Sequence, residues 1–194
     1  MTIRQISLTI CKATLASITV CAAMAANADG NRPTLYVGTA QLRGSLERSV
    51  GGQTGFVGIA SLPSSMAGSL APGIGTNSFD FYLSRSSSSG GSFTTFGLML
   101  TERIPLGVTR DDDNIDKVPY FGFGLGFGIT QGNVKGTVGE TAVSVSKQAS
   151  SQLIRLCVGQ NFGKKTSVEF GYVLTPKVGA LSPNHVSLTV GIKL

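Results

Sequence analysis

The stretch 185–194 alternates without a break. Val186, Leu188, Val190, Ile192 and Leu194 are apolar, with Ser187, Thr189, Gly191 and Lys193 between them. A period of two places these sets on opposite faces of a β-strand. Seven further segments read as strands: 34–43 (TLYVGTAQLR), 53–62 (QTGFVGIASL), 78–85 (SFDFYLSR), 93–103 (FTTFGLMLTER), 119–130 (PYFGFGLGFGIT), 152–162 (QLIRLCVGQNF) and 166–174 (TSVEFGYVL). Clusters of Gly, Ser, Pro, Asn and Asp separate them, as expected for turns. No segment carries a convincing helical period.

The segment 119–130 is the sharpest of the eight. Phe121, Phe123, Leu125, Phe127 and Ile129 fall on one face, and Gly122, Gly124, Gly126 and Gly128 on the other. A helix would scatter these residues and lose about 1 kcal/mol at each glycine. In a closed barrel of eight strands the interior is only wide enough for side chains, so an inward glycine ladder makes room for long residues from other strands. The next two strands supply them. Arg155, Cys157 and Gly159 lie opposite Ile154, Leu156 and Val158, while Glu169, Gly171 and Val173 lie opposite Val168, Phe170, Tyr172 and Leu174. The short link 163–165 predicts a hairpin. Arg155 and Glu169 then both point inward. They are expected to pair there, with Asp80 of the third strand as a further member, because a buried charge is costly without a partner.

Residues 1–28 read as a cleaved signal peptide. Arg4 and Lys12 give a positive start, an Ala-rich apolar run follows, and Ala26-Asn27-Ala28 is a small-x-small cleavage site. The run is too short for a membrane helix, which needs roughly 20 apolar residues. Cys21 fits a lipoprotein site poorly, since Ile18-Thr19-Val20 precedes it. The expected mature domain is 29–194. No later stretch could cross a membrane as a helix, so any insertion must use strands closed into a barrel. With the amino terminus in the periplasm, alternating strands put 44–52, 86–92, 131–151 and 175–184 outside the cell. The links 63–77, 104–117 and 163–165 fall on the periplasmic side, where the first two are longer than usual.

Composition narrows the function classes. The chain has 26 glycines, no Trp and only 13% charged residues. Two of its three cysteines leave with the signal, so Cys157 can form no intrachain disulfide. The net charge of +6 is dispersed, with Lys164-Lys165 the only adjacent basic pair, and an exported chain is an improbable nucleic-acid partner. No cofactor fingerprint, phosphate-binding loop or zinc spacing is present.

The chain resembles the small outer-membrane β-barrel superfamily, including the OmpA-like and opacity-type surface proteins. Three stretches carry the resemblance: 119–129 (PYFGFGLGFGI), the hairpin from Leu156 to Tyr172, and 185–194. The last is similar to the terminal signal read by the barrel assembly machinery, here Val190, Gly191, Ile192 and Leu194, although an aromatic residue is usual in the final position. The resemblance covers 119–194 firmly and 29–118 diffusely. It implies an all-β fold, an eight-stranded antiparallel up-and-down transmembrane β-barrel in the cell outer membrane. Its partners would be outer-membrane lipid and lipopolysaccharide, and a host or envelope surface molecule.

Three candidate sites remain. His185-Val-Ser187 resembles the His-x-Ser pair of the outer-membrane lipid A deacylases, but the acidic residue that follows in that family is missing, and a serine nucleophile needs both a base and an orienting group. The run 111–116 (DDDNID) offers oxygen ligands of the kind calcium favours, yet lacks the spacing of a helix–loop–helix site and reads as a solvated turn. The run 85–91 (RSSSSGG) reads as a polar surface loop. The leading expectation is a non-enzymatic barrel with a structural or surface-interaction role (adhesion or envelope integrity) and a narrow, side-chain-filled lumen, not a general porin. The alternatives are a soluble periplasmic ligand-binding barrel and an outer-membrane lipid hydrolase.

Overall fold

Each strand leaves one apolar face and two edges to be satisfied, and closing the sheet on itself removes the edges. The computed structural model describes residues 33–43, 54–64, 75–88, 90–107, 117–138, 141–163, 165–179 and 182–194. The expected signal peptide, the acidic run 111–116 and Lys164 lie outside them. The strands are β1 Thr34–Leu42, β2 Thr54–Pro63, β3 Thr76–Ser88, β4 Gly91–Pro105, β5 Pro119–Val138, β6 Thr141–Phe162, β7 Thr166–Leu174 and β8 His185–Lys193. Each pairs antiparallel with the next, and β8 closes on β1 from Thr34↔Lys193 to Leu42↔His185. The fold is the closed up-and-down barrel that the alternation predicts.

Both ends of the barrel chain lie on one rim. There, Leu194 N–H donates to the Pro33 carbonyl at 2.9 Å, and Lys193 N–H to the Lys165 carbonyl at 2.8 Å. The β6–β7 turn begins with Gly163 at φ +72°, a left-handed conformation that glycine adopts without steric cost. At the opposite rim Leu42 and Phe93 pack together with Val134 against them. Val178 is buried, its Cγ1 about one methyl group from the Gly132 backbone (3.2 Å from the position of a Cβ there). Val178, after β7, therefore packs into the lumen at that end.

The barrel is inside-out relative to a water-soluble one. Every strand turns apolar residues outward, among them Leu35, Phe56, Phe79, Leu98, Leu125, Leu156, Phe170 and Val190, all at least a third exposed. The lumen is mixed: Asp80, Arg155 and Glu169 are fully buried, with Ser61, Ser78, Thr101 and Thr189 near them in burial, and Val57, Ile59, Met99, Leu153 and Val173 form an apolar cluster beside them. The inward glycines take up the bulk of facing residues. Across the register Tyr36 faces Gly191, Tyr82 faces Gly97, Arg103 faces Gly122, Arg155 faces Gly124 and Tyr120 faces Gly159.

Two boundaries differ from the sequence reading. The expected loop 131–151 is mostly strand: β5 continues to Val138 and β6 starts at Thr141, in register from Thr130↔Ala149 to Val138↔Thr141. The expected loop 86–92 is likewise a tight reversal, since β3 runs to Ser88 and β4 starts at Gly91. The first stretch holds four Val and two Thr, which favour extended backbone, whereas 86–92 is only Ser and Gly. A ribbon standing beyond the apolar belt needs no oily face, so it carries no strong hydrophobic alternation to announce it.

Candidate functional site

The lumen holds a charge network built from β1 through β7. Its centre is Glu169 on β7, whose carboxylate receives three donors. Arg103 Nε donates to Oε1 at 2.7 Å, Tyr120 Oη donates to the same oxygen at 2.8 Å, and Arg155 Nη2 donates to Oε2. Arg103, near the end of β4, is the second hub. Its Nη2 reaches Asp80 Oδ2 at 3.2 Å and its Nη1 reaches Ser78 Oγ at 2.7 Å and Ser61 Oγ at 3.4 Å. Ser78 in turn donates to Asp80 Oδ1 at 2.8 Å. The Arg103 guanidinium also lies 5.0 Å from the centroid of the Tyr36 ring, a cation–π distance.

The expected trio is thus joined through a residue that the sequence reading did not single out. Arg155 and Glu169 form an ion pair, while among the described residues Asp80 connects to Glu169 by way of Arg103. Arg103 sits on the same face of β4 as Thr95, Gly97, Met99 and Thr101, so its parity was available. Two guanidinium groups face two carboxylates, and the four formal charges cancel. Such an arrangement bolts strands together across the lumen. Arg103 has all three guanidinium nitrogens engaged by carboxylates and hydroxyls, whereas Arg155 spends only Nη2 on Glu169.

Packing around the network is tight. A Cβ on Gly159 would lie 2.5 Å from Cζ and 2.6 Å from Oη of Tyr120, the phenol that donates to Glu169. Gly159→Ala must therefore push the ring off its hydrogen bond, and overpacking of this kind costs about 1–3 kcal/mol. The expected result is a lower urea midpoint for unfolding of the purified barrel. A midpoint equal to that of the wild type would show that the ring has room to move.

His185 and Ser187 both face the lumen and are buried. The histidine uses both ring nitrogens elsewhere: Nε2 is hydrogen-bonded to Tyr82 Oη, and Nδ1 lies 3.2 Å from the Pro183 carbonyl. Ser187 Oγ makes a long 3.5 Å contact as donor to the Gly171 carbonyl. Glu169 and Asp80 commit their oxygens to arginine, tyrosine and serine. These residues do not come together as nucleophile, base and orienting acid. Among the described residues no group of His, Cys, Asp and Glu could hold a metal ion. Cys157 is buried and carries a free thiol.

At the carboxyl end, Val190, Ile192 and Leu194 are about half exposed on the outer face. Gly191 turns inward beneath Tyr36, whose Cδ1 is 2.7 Å from the position of a Cβ there.

No protein-family model and no curated protein matches the sequence. Solved structures do. Neisserial surface protein A is 14% identical with a TM-score of 0.53, the match covering 86% of this chain and 98% of that one. Ail, the attachment invasion locus protein of Yersinia pestis, is 13% identical with a TM-score of 0.50, covering 84% of this chain and 99% of its own. The outer membrane enzyme PagL is 12% identical with a TM-score of 0.51, covering 82% of this chain and 99% of its own. Surface proteins and an enzyme thus share the scaffold, and function is carried by sites placed on it. By architecture and by likeness to these structures, the chain has the fold of the small eight-stranded outer-membrane β-barrels.

Proposed function

We propose that the chain is an exported outer-membrane barrel with a structural or surface-interaction role, in adhesion or envelope integrity. The carrying observation is the inside-out distribution of side chains. A continuous apolar exterior is unusual in water, where exposed apolar patches on monomers rarely exceed a few hundred Å², and is what a bilayer requires. The alternative of a soluble periplasmic ligand-binding barrel would need a wet, polar exterior. Residues 1–28 would direct export, and the termini would lie on the periplasmic side. Outer-membrane lipid and lipopolysaccharide would surround the belt, and the barrel assembly machinery would read Val190, Gly191, Ile192 and Leu194 during insertion.

The lumen favours a scaffold over a conduit. Arg103, Arg155, Tyr36 and Tyr120 reach across it, and eight-stranded barrels have interiors sized for side chains. We read the chain as non-catalytic, since His185 and Ser187 are engaged with Tyr82, Pro183 and Gly171 inside the barrel and do not face lipid. Cell fractionation and gel mobility test the proposal. The expected result is recovery in the outer membrane with a band that shifts on boiling. Recovery as a soluble periplasmic protein without a shift would reject it.

A further inference from the structure

β6 outruns one of its neighbours. It pairs with β5 from Thr141↔Val138 to Gln160↔Pro119, but with β7 only from Ile154↔Leu174 onward. Along Ser144, Val145, Ser146, Lys147 and Gln148 the side facing away from β5 has no paired strand among the described residues, and all five are exposed. The main-chain groups on that side alternate donor and acceptor. Only an extended polypeptide matches that alternation, and such edges are templates for strand addition. Proteins usually guard long edges with lysine, proline or glycine bulges. Residues 141–153 contain a single Lys, no Pro and no Gly.

The surrounding charge selects among extended segments. Arg85, Lys135, Lys147 and Lys177 are exposed at this end of the barrel. The described carboxylates, Asp80, Glu102 and Glu169, are all buried. Glu47, between β1 and β2, and Glu140, between β5 and β6, lie outside the described residues.

We propose that the β6 edge at 144–148 accepts an extended acidic polypeptide segment by strand addition, outside the membrane. The inference rests on the outer-membrane reading, which exposes this ribbon at the cell surface. An anionic lipid headgroup or polysaccharide would meet the lysines but could not satisfy the main chain of the edge.

Fluorescence anisotropy with a labelled synthetic peptide of alternating Glu and Val, about eight residues long, tests this on the purified barrel in detergent. The expected result is saturable binding. A Lys–Val peptide of equal length, and the Glu–Val peptide with every amide N-methylated, should each bind at least about tenfold more weakly. The K135E/K147E variant should weaken Glu–Val binding by a similar factor. Equal binding of the N-methylated peptide overturns the proposal in favour of polyanion recognition. A barrel that is recovered in the outer membrane and shifts on boiling, yet binds none of the peptides, also overturns it while leaving the location standing.

Discussion

Replacing Glu169 with glutamine is expected to lower the unfolding free energy by about 3–5 kcal/mol, the cost of removing one partner from a buried ion pair. The substitution keeps the volume and removes only the charge. Its size follows from the number of groups that depend on this carboxylate: Arg103 and Arg155 both donate to it, as does Tyr120. Arg155 is fully buried, and its Nε and Nη1 have no other partner among the described residues. After the change two guanidinium groups share the lumen with Asp80 alone. Arg155→Met should cost less, because Arg103 remains to neutralise Glu169 and methionine fills part of the space. The double variant Glu169→Gln/Arg155→Met should then be more stable than Glu169→Gln alone, a coupling that a double-mutant cycle isolates. Urea unfolding followed by the boiling-sensitive gel band measures all three. A Glu169→Gln midpoint at the wild-type value would mean that the network contributes packing and no ionic stabilisation.

Which face each charge occupies could be read from the sequence, but which charges meet could not. Period-two parity assigns Arg155, Glu169 and Asp80 to the lumen from the residues alone. It assigns Arg103, Tyr36, Tyr82 and Tyr120 there as well, once each strand is followed to its last residue. What parity lacks is the stagger between strands. Glu169 lies across from Gly159, while Arg155 lies across from Val173, so the ion pair runs diagonally over two inward positions. Arg103 likewise lies across from Thr76 and reaches diagonally back to Asp80. The stagger that brings these levels together belongs to the closed barrel as a whole, set by strand tilt and shear. No local pattern encodes it. The long β5–β6 ribbon was missed for a different reason. Hydrophobic alternation reports one buried or lipid-facing side, and at 144–148 successive side chains on both faces are exposed, so the extended backbone leaves only the weaker trace of Val and Thr.

Leu125→Arg is expected to destabilise the barrel in phospholipid vesicles by about 2–4 kcal/mol, the range for an arginine near the bilayer midplane. Leu125 is the middle residue of the outward series Phe121, Phe123, Leu125, Phe127 and Ile129, and its neighbours across the sheet are Leu100 and Ile154. It is about half exposed, so the loss cannot come from a disrupted interior. In a water-facing position the same change would fall within about 0.5 kcal/mol, as surface substitutions do. The magnitude therefore reports the solvent outside the barrel. Gln131→Arg supplies the internal reference. Gln131 lies on the same face of β5, beyond the last apolar residue of the series, where the depth dependence predicts about 0–1 kcal/mol. Urea unfolding of both variants in vesicles gives the comparison. A large loss at Leu125 with a small one at Gln131 locates the belt in hydrocarbon. Equal small losses would put water on the outer face and return the apolar exterior to the soluble alternative.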